Sequence, residues 1–232
     1  AFSRQRQFTA DASHELRTPL AVLAAQADLA LDQARRPEDY RSALREIHQQ
    51  AQQMAQLLAE LLMLARADSG PVDIDHEMLD LTALVADTIA TLTPLAETSG
   101  VTLSASAHLS VLITGDQARL TQLIVNLVDN ALKYTPIGGC VEVSVRAMDG
   151  RARLRVSDSG VGIAPEHLPH LFERFYRADA ARSRDEGGAG LGLAICQWIA
   201  SAHQGTIAVQ STPGEGTTFT VSLPLTMDRL AG

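Results

Sequence analysis

Residues 123–135 read Leu-Ile-Val-Asn-Leu-Val-Asp-Asn-Ala-Leu-Lys-Tyr-Thr. The apolar members recur at helical spacing, so the stretch predicts a helix, over 116–133, with one face in a core. Asn126 and Asn130 stand at i and i+4 and share another face, with Lys133 three residues beyond. Amide oxygens followed by a cation suit a hard divalent ion and the phosphates it accompanies. Two asparagines bonded to backbone beside a surface lysine are the ordinary meaning of an isolated N-x-x-x-N, so the weight of this helix depends on what surrounds it.

Downstream, residues 140–147 and 151–158 alternate as strands around a turn at Asp149-Gly150. The second runs into Asp158-Ser159-Gly160-Val161-Gly162. Glycines there let the backbone turn tightly against a flat ligand, and a carboxylate beside them can accept from an exocyclic amine. A lone D-x-G-x-G is by itself a common turn. Leu171-Phe172-Glu173-Arg174-Phe175-Tyr176-Arg177 then leads through a polar stretch, 178–186, into Gly187-Gly188-Ala189-Gly190-Leu191-Gly192-Leu193. Aromatics anchoring a charged, glycine-ended loop describe a lid. The glycines enter a helix near 190–203, whose first N–H groups form an anion site. Gly214-Glu215-Gly216-Thr217, between strands near 205–210 and 216–224, needs only a hairpin-turn reading. Leu123, Ile124, Val128, Leu191, Leu193, Cys196 and Trp198 read as core. Neither G-x-x-x-x-G-K-[ST] nor G-x-G-x-x-G occurs, which leaves P-loop and Rossmann folds unsupported.

Upstream, residues 80–96 read as helix and 101–113 as strand. The cluster Asp68-Ser69-Gly70-Pro71 is a breaker, and it divides a segment 1–68 from a segment 72–232. The first holds two helices. Leu44, Ile47, Ala51, Met54, Leu58, Leu61 and Ala65 alternate spacings of three and four, with a matching stripe at Leu16, Leu20, Leu23, Ala27 and Ala30. Pro37, Glu38 and Asp39 suit the start of the second helix. A hairpin this small cannot bury two apolar stripes alone, so it is expected to pair with a second copy as a four-helix bundle; packing onto the rest of its own chain is the alternative.

On the first helix His14 faces away from the leucine stripe and shares a face with Thr18. Pro19 removes one N–H and frees the Glu15 carbonyl, which should loosen the helix beside His14. An imidazole next to a carboxylate on such a helix can act as a nucleophile, although an exposed helical histidine is more often a plain surface residue.

The 232 residues carry 19 basic and 27 acidic side chains, a net charge of −8 that argues against broad nucleic-acid binding. Cys140 and Cys196 are too few and too separated for a metal cluster or disulfide framework and read as free thiols in a reducing compartment. No run of residues is long and apolar enough to span a bilayer. The helical pattern already under way at Ala1 suggests a piece of a longer chain.

The string Phe8-Thr9-Ala10-Asp11-Ala12-Ser13-His14-Glu15-Leu16-Arg17-Thr18-Pro19-Leu20 closely resembles the H-box of sensor histidine kinases. The later clusters resemble, in order, the N, G1, F, G2 and G3 boxes of the ATP-binding domain which those kinases share with gyrase, Hsp90 and MutL proteins. The fold implied is α+β: a helical hairpin dimerising into a four-helix bundle, then a two-layer α/β sandwich with a mostly antiparallel sheet.

The resemblance implies that His14 accepts the γ-phosphoryl of ATP through Nε2, with Glu15 accepting or orienting the Nδ1 proton, and that Glu15 and Thr18 serve a phosphatase reaction. It implies Asn130 as the Mg²⁺ ligand, Asn126 and Lys133 near the phosphates, Tyr134 beside base or sugar and Asp158 on the adenine amine. Gly160, Gly162, Gly188, Gly190, Leu191 and Gly192 would shape the pocket. Arg177 would contact the γ-phosphoryl, with Arg174, Arg182 and Arg184 as alternatives. It further implies a response-regulator receiver domain as partner, and a cytoplasmic position in an inner-membrane-anchored receptor whose membrane segments lie outside this chain. Two other readings share the pocket: a gyrase/Hsp90-type ATPase clamp, which has no use for the H-box, and a dimeric scaffold with a degenerate kinase domain, which predicts eroded motifs.

Overall fold

The computed structural model describes residues 2–31, 36–69, 74–106, 109–178 and 189–226. Two compact units meet in sequence at Gly70/Pro71.

The first unit is an antiparallel pair of helices, α1 (Phe2–Leu31) and α2 (Pro37–Ser69), held together by contacts along their length. α2 begins with Pro37 and carries Glu38 and Asp39 in its first turn, where fixed φ and negative charge favour a helix start. The Gln26 amide donates to Glu46 at 2.9 Å and joins the helices. The expected α2 stripe divides in two. Ile47, Met54, Leu61 and Ala65 are sheltered, whereas Leu44, Ala51 and Leu58 are exposed, as are Leu20 and Leu29 on α1. A heptad seam can face one neighbour, so the positions beside it stay open when only one partner helix is present.

The second unit contains α3 (Leu81–Ser99), α4 (Gln117–Tyr134) and α5 (Gly192–Ala202) packed on a five-stranded sheet. Its strands are β2 (Thr102–Ser106), β4 (Cys140–Met148), β5 (Arg151–Asp158), β6 (Thr206–Thr212) and β7 (Gly216–Pro224), in the order β2-β4-β5-β7-β6. Only the β2–β4 pair is parallel. Residues 101–113 do not form one strand. β2 ends at Ser106 and β3 (Leu112–Gly115) pairs antiparallel with β1 (Glu77–Asp80) in a separate two-stranded sheet. The four residues of β1 are too short for alternation to mark them in sequence.

The core follows the two periodicities. Val141, Val143 and Val145 on β4, Ala152, Leu154 and Val156 on β5, and Phe219, Val221 and Leu223 on β7 point inward at every second residue. Leu120, Leu123, Ile124, Leu127 and Val128 of α4 and Ile195 and Ile199 of α5 meet them, each burial contributing about 1.5–3 kcal/mol for a large aliphatic group. Leu193 and Trp198, expected in this core, are half-buried. Trp198 instead lies beneath the Arg119 guanidinium, 5.9 Å from the ring centroid, because the α5 face it occupies turns from the sheet toward the start of α4.

Capping sets the ends of α3 and α4. The Asp80 carboxylate accepts from Thr82 N and Ala83 N, and also from Val111 N, tying the start of α3 to the residue before β3. Asp116 accepts from Arg119 N at 3.0 Å. The Asp116 N–H in turn donates to His203 Nε2 at 2.9 Å, while His203 Nδ1–H donates to Ile199 O at 2.8 Å. Since one partner can only donate and the other only accept, the ring is the neutral Nδ1–H tautomer. Burial pushes the His203 pKa down, joined by His76 and opposed by the Ile199 bond and the Asp116 charge.

Candidate active site

In the helical unit His14, Glu15 and Thr18 are all exposed on α1. The His14 imidazole forms no hydrogen bond among the described residues, to Glu15 or to any other group. Adjacent positions on a helix diverge by about 100°, which accounts for the separation. α1 stays helical through Pro19. Beside His14, Ser13, Leu16, Arg17 and Leu20 line an open cleft with Met54, Ala55 and Leu58 of α2.

In the second unit the four motif clusters converge. Asp158, at the end of β5, sits in register with Val141 of β4 and Thr217 of β7. Its Oδ1 accepts from Gly160 N at 2.9 Å and Thr217 N at 3.1 Å. No described residue meets its other oxygen. Burial, the largest influence, raises the Asp158 pKa, against the two amide bonds that lower it. The group is thus fixed by backbone on one oxygen and left with one acceptor to offer.

Two glycines beside it are sterically required. A Cβ on Gly160 would come within 2.4 Å of Tyr134 O, and one on Gly162, at φ +68°, within 2.1 Å of Thr212 O. Val161 N donates to that same Tyr134 carbonyl at 3.2 Å, so the loop after β5 is bound to the end of α4.

Along α4, Asn126, Asn130 and Lys133 are half-buried and Tyr134 is exposed, its ring 5.4 Å from Lys133 Nζ. The Asn130 amide has no partner among the described residues. The Asn126 amide donates to Gly192 O at 3.3 Å and the Cys196 thiol donates to Leu123 O at 3.7 Å, so both join α4 to α5. Leu191, buried, precedes α5 and provides no side-chain cap, so among the described residues no side chain caps the first-turn N–H groups. Gly190 has φ +70°. A Cβ on Gly192 would meet nothing closer than the Asn126 amide at 3.8 Å. Arg174 and Arg177 are half-buried. Gly188, Arg182 and Arg184, and the polar stretch in which a lid is expected, lie outside the described residues.

Sequence reading missed the contribution of the last turn. Thr217 N holds the Asp158 carboxylate, and a Cβ on Gly216, at φ +106°, would come within 2.0 Å of Asp158 O. Only the sheet order, which seats β7 beside β5, reveals this. Ser159 is also structural here: its Oγ accepts from Cys140 N at 2.9 Å. The two cysteines are free; Cys140 is exposed, and burial pushes the Cys196 thiol up to about 12.

Among the described residues no cluster of three His, Cys, Asp or Glu side chains could hold a metal. Mg²⁺ needs no such cluster, because it retains water and takes phosphate oxygens alongside one or two protein ligands. The unpaired Asn130 amide, half-buried within the helical turn of Lys133, fits that requirement.

A backbone-held carboxylate at the end of β5 and an uncapped helix start are both joined to the asparagine-bearing helix α4, on an α/β sandwich. Residues 115–227 match the family model for histidine kinase-, DNA gyrase B- and HSP90-like ATPases, and residues 4–70 match the phospho-acceptor domain of histidine kinase A type. The sensor histidine kinase RppB of Synechocystis sp. (strain ATCC 27184 / PCC 6803 / Kazusa) is 39% identical over 228 residues, covering 97% of this chain and 50% of the relative. Among solved structures, the mycobacterial sensor histidine kinase MprB is 30% identical with TM-score 0.57, over 65% of this chain and 97% of that one. Histidine kinase ThkA in complex with response regulator TrrA shares the fold at TM-score 0.76 and 20% identity, over 98% of this chain and 64% of that one. The chain belongs to the sensor histidine kinase family. It spans about half the length of the curated relatives it matches.

Proposed function

We propose that this chain is the kinase core of a sensor: it transfers the γ-phosphoryl group of ATP to His14 and passes it on to an aspartate of a response-regulator receiver domain. The observation that carries the reading is the presence in one chain of an exposed, hydrogen-bond-free H-box imidazole and of a backbone-held carboxylate, Asp158, beside the asparagine-bearing helix α4.

Adenine enters against the loop after β5, its exocyclic amine donating to the free oxygen of Asp158. Tyr134 flanks the base or sugar. The triphosphate runs along α4 toward the first turn of α5, with Asn126 and Lys133 beside it. Asn130 would hold Mg²⁺, which would supply charge neutralisation to the phosphates when bound. Nε2 of His14 attacks the γ-phosphorus in line; the N–P bond forms, the β,γ-bridging P–O bond breaks, and ADP leaves with that electron pair. The Nδ1 proton passes to Glu15 or to water. Arg177 stabilises charge on the transferring group. Attack of a receiver carboxylate on phospho-His14 reverses the N–P bond, and Thr18 with Glu15 orients water for hydrolysis of the phosphorylated receiver.

Two chains pair through the open face of α1 and α2, where Leu20 and Leu58 line one continuous cleft. Among the described residues no helix is long and apolar enough to cross a membrane; attachment to the inner membrane, with this core on the cytoplasmic side, comes through segments outside this chain.

The test is to treat the chain with Mg²⁺-ATP, remove nucleotide, add a receiver domain and follow ³¹P resonances. A phosphoramidate signal should form and be replaced by an acyl phosphate. Continuous phosphate release with no phosphoramidate at any stage would instead support an ATPase clamp.

A further inference from the structure

Arg177 follows a point where the chain closes on itself twice. Phe172 packs edge-on against Phe219 of β7, ring centroids 6.4 Å apart, and fixes the run 171–177 to the core. Three residues on, Phe175 adopts φ +62°, a left-handed conformation costly for a bulky residue. Its N–H donates to Gly190 O at 3.0 Å. Gly190 itself has φ +70°, and a Cβ there would stand 2.9 Å from Phe175 C and 3.0 Å from Tyr176 O. This backbone closure sets where the chain departs. A second closure is made by side chains. The Tyr176 hydroxyl and His167 Nδ1 lie 2.8 Å apart, and the Tyr176 ring rests 5.4 Å from the ring of His170, whose Nδ1 is 2.9 Å from Glu173 Oε1.

We propose that the Tyr176–His167 hydrogen bond is a latch that positions Arg177 for the transferring phosphoryl group. The Phe175–Gly190 bond fixes a point but leaves rotation about the following bonds. Anchoring the far end of the next side chain removes that freedom, so the direction of the chain at residue 177 is set before nucleotide arrives. Strained backbone persists only where its surroundings over-determine it, and here a backbone bond on Phe175 and a ring contact and a side-chain bond on Tyr176 act on two successive residues. Tyr176 and His167 are positioning residues. Their effect appears in the rate of transfer, not in nucleotide affinity.

This inference rests on the proposed role of Arg177, and the experiment separates the two. The readouts are the first-order rate of His14 labelling at saturating Mg²⁺-ATP, the half-saturating ATP concentration, and ADP affinity by calorimetry, all well below each variant's Tm. A single hydrogen bond is worth about 0.5–1.5 kcal/mol, so Tyr176→Phe should slow labelling roughly two- to tenfold with half-saturation and ADP affinity unchanged. His167→Ala should slow it equally, and the double variant no further, since both remove one bond. Arg177→Ala should be slower than either. Arg177→Ala at the wild-type rate overturns the role of Arg177 and the latch with it. A slow Arg177→Ala beside a Tyr176→Phe of normal rate, additive single losses, or a loss confined to half-saturation overturns the latch alone.

Discussion

At the scale of single residues, Asp158 shows how a candidate binding group is held against its own stability. Its folded pKa is raised, so the folded chain retains this proton to higher pH than the unfolded chain, and ionising it costs stability as pH rises through about 3.8 toward the raised value. Asp158→Asn keeps an acceptor for Gly160 N and Thr217 N but turns a donor toward the adenine amine. It should lower ADP affinity roughly 10- to 100-fold by calorimetry, in line with about 1.5–3 kcal/mol for a hydrogen bond to a charged group, while Tm stays level or rises. Gly192 offers a complementary test. Its Cβ would make only ordinary contact with Asn126, and alanine favours a helix by up to about 1 kcal/mol over glycine. Gly192→Ala should therefore leave Tm unchanged or higher and still weaken ATP binding, because the space it fills is proposed to be that of phosphate. A variant binding ATP normally would remove the α5 start from the phosphate site.

Elements bring these residues together. α4 is the one that matters most, and its first turn depends on a neutral histidine. Protonating His203 Nε2 abolishes its only acceptor for Asp116 N–H. Because the folded pKa lies below the unfolded value near 6.5, the stabilisation is complete above that pH and is lost as pH falls through it toward the folded value. His203→Gln should lower Tm at pH 7.5, and the gap from wild type should narrow toward pH 5.5. A constant gap would show that the ring does not titrate on unfolding. In the helical unit, the exposed Leu20 and Leu58 are assigned to the chain–chain interface. Leu58→Glu should shift sedimentation from dimer toward monomer with helical content retained; a dimer of wild-type stability would move the interface elsewhere. Sequence showed α1, α2, α4 and the β4–β5 hairpin well, since each is long and periodic or marked by Asp149-Gly150. It did not show β1, whose four residues carry no pattern, nor the end of β2 inside 101–113, where pairing in a separate sheet decides. Nor could it show which leucines of the α2 heptads face α1, because both choices satisfy the same period.

For the whole molecule, the proposed chemistry is divided between two units, with the candidate nucleophile on one and the candidate nucleotide site on the other. His14 stands out as a candidate through the string around it. The proposed nucleotide clusters stand out through their order along the chain. The support given to Asp158 by Gly216 and Thr217 was not legible in the sequence, for it arises only when β7 takes its place beside β5, 59 residues away in sequence. The same holds for the Tyr176–His167 bond, which spans a strained φ that no propensity predicts. The decisive measurement for histidine phosphorylation is incubation with γ-labelled ATP and Mg²⁺, with His14→Gln in parallel. Protein-bound label should be acid-labile and base-stable and should be lost in the variant. ATP turnover without protein label, equal in both proteins, would contradict phosphoryl transfer to His14.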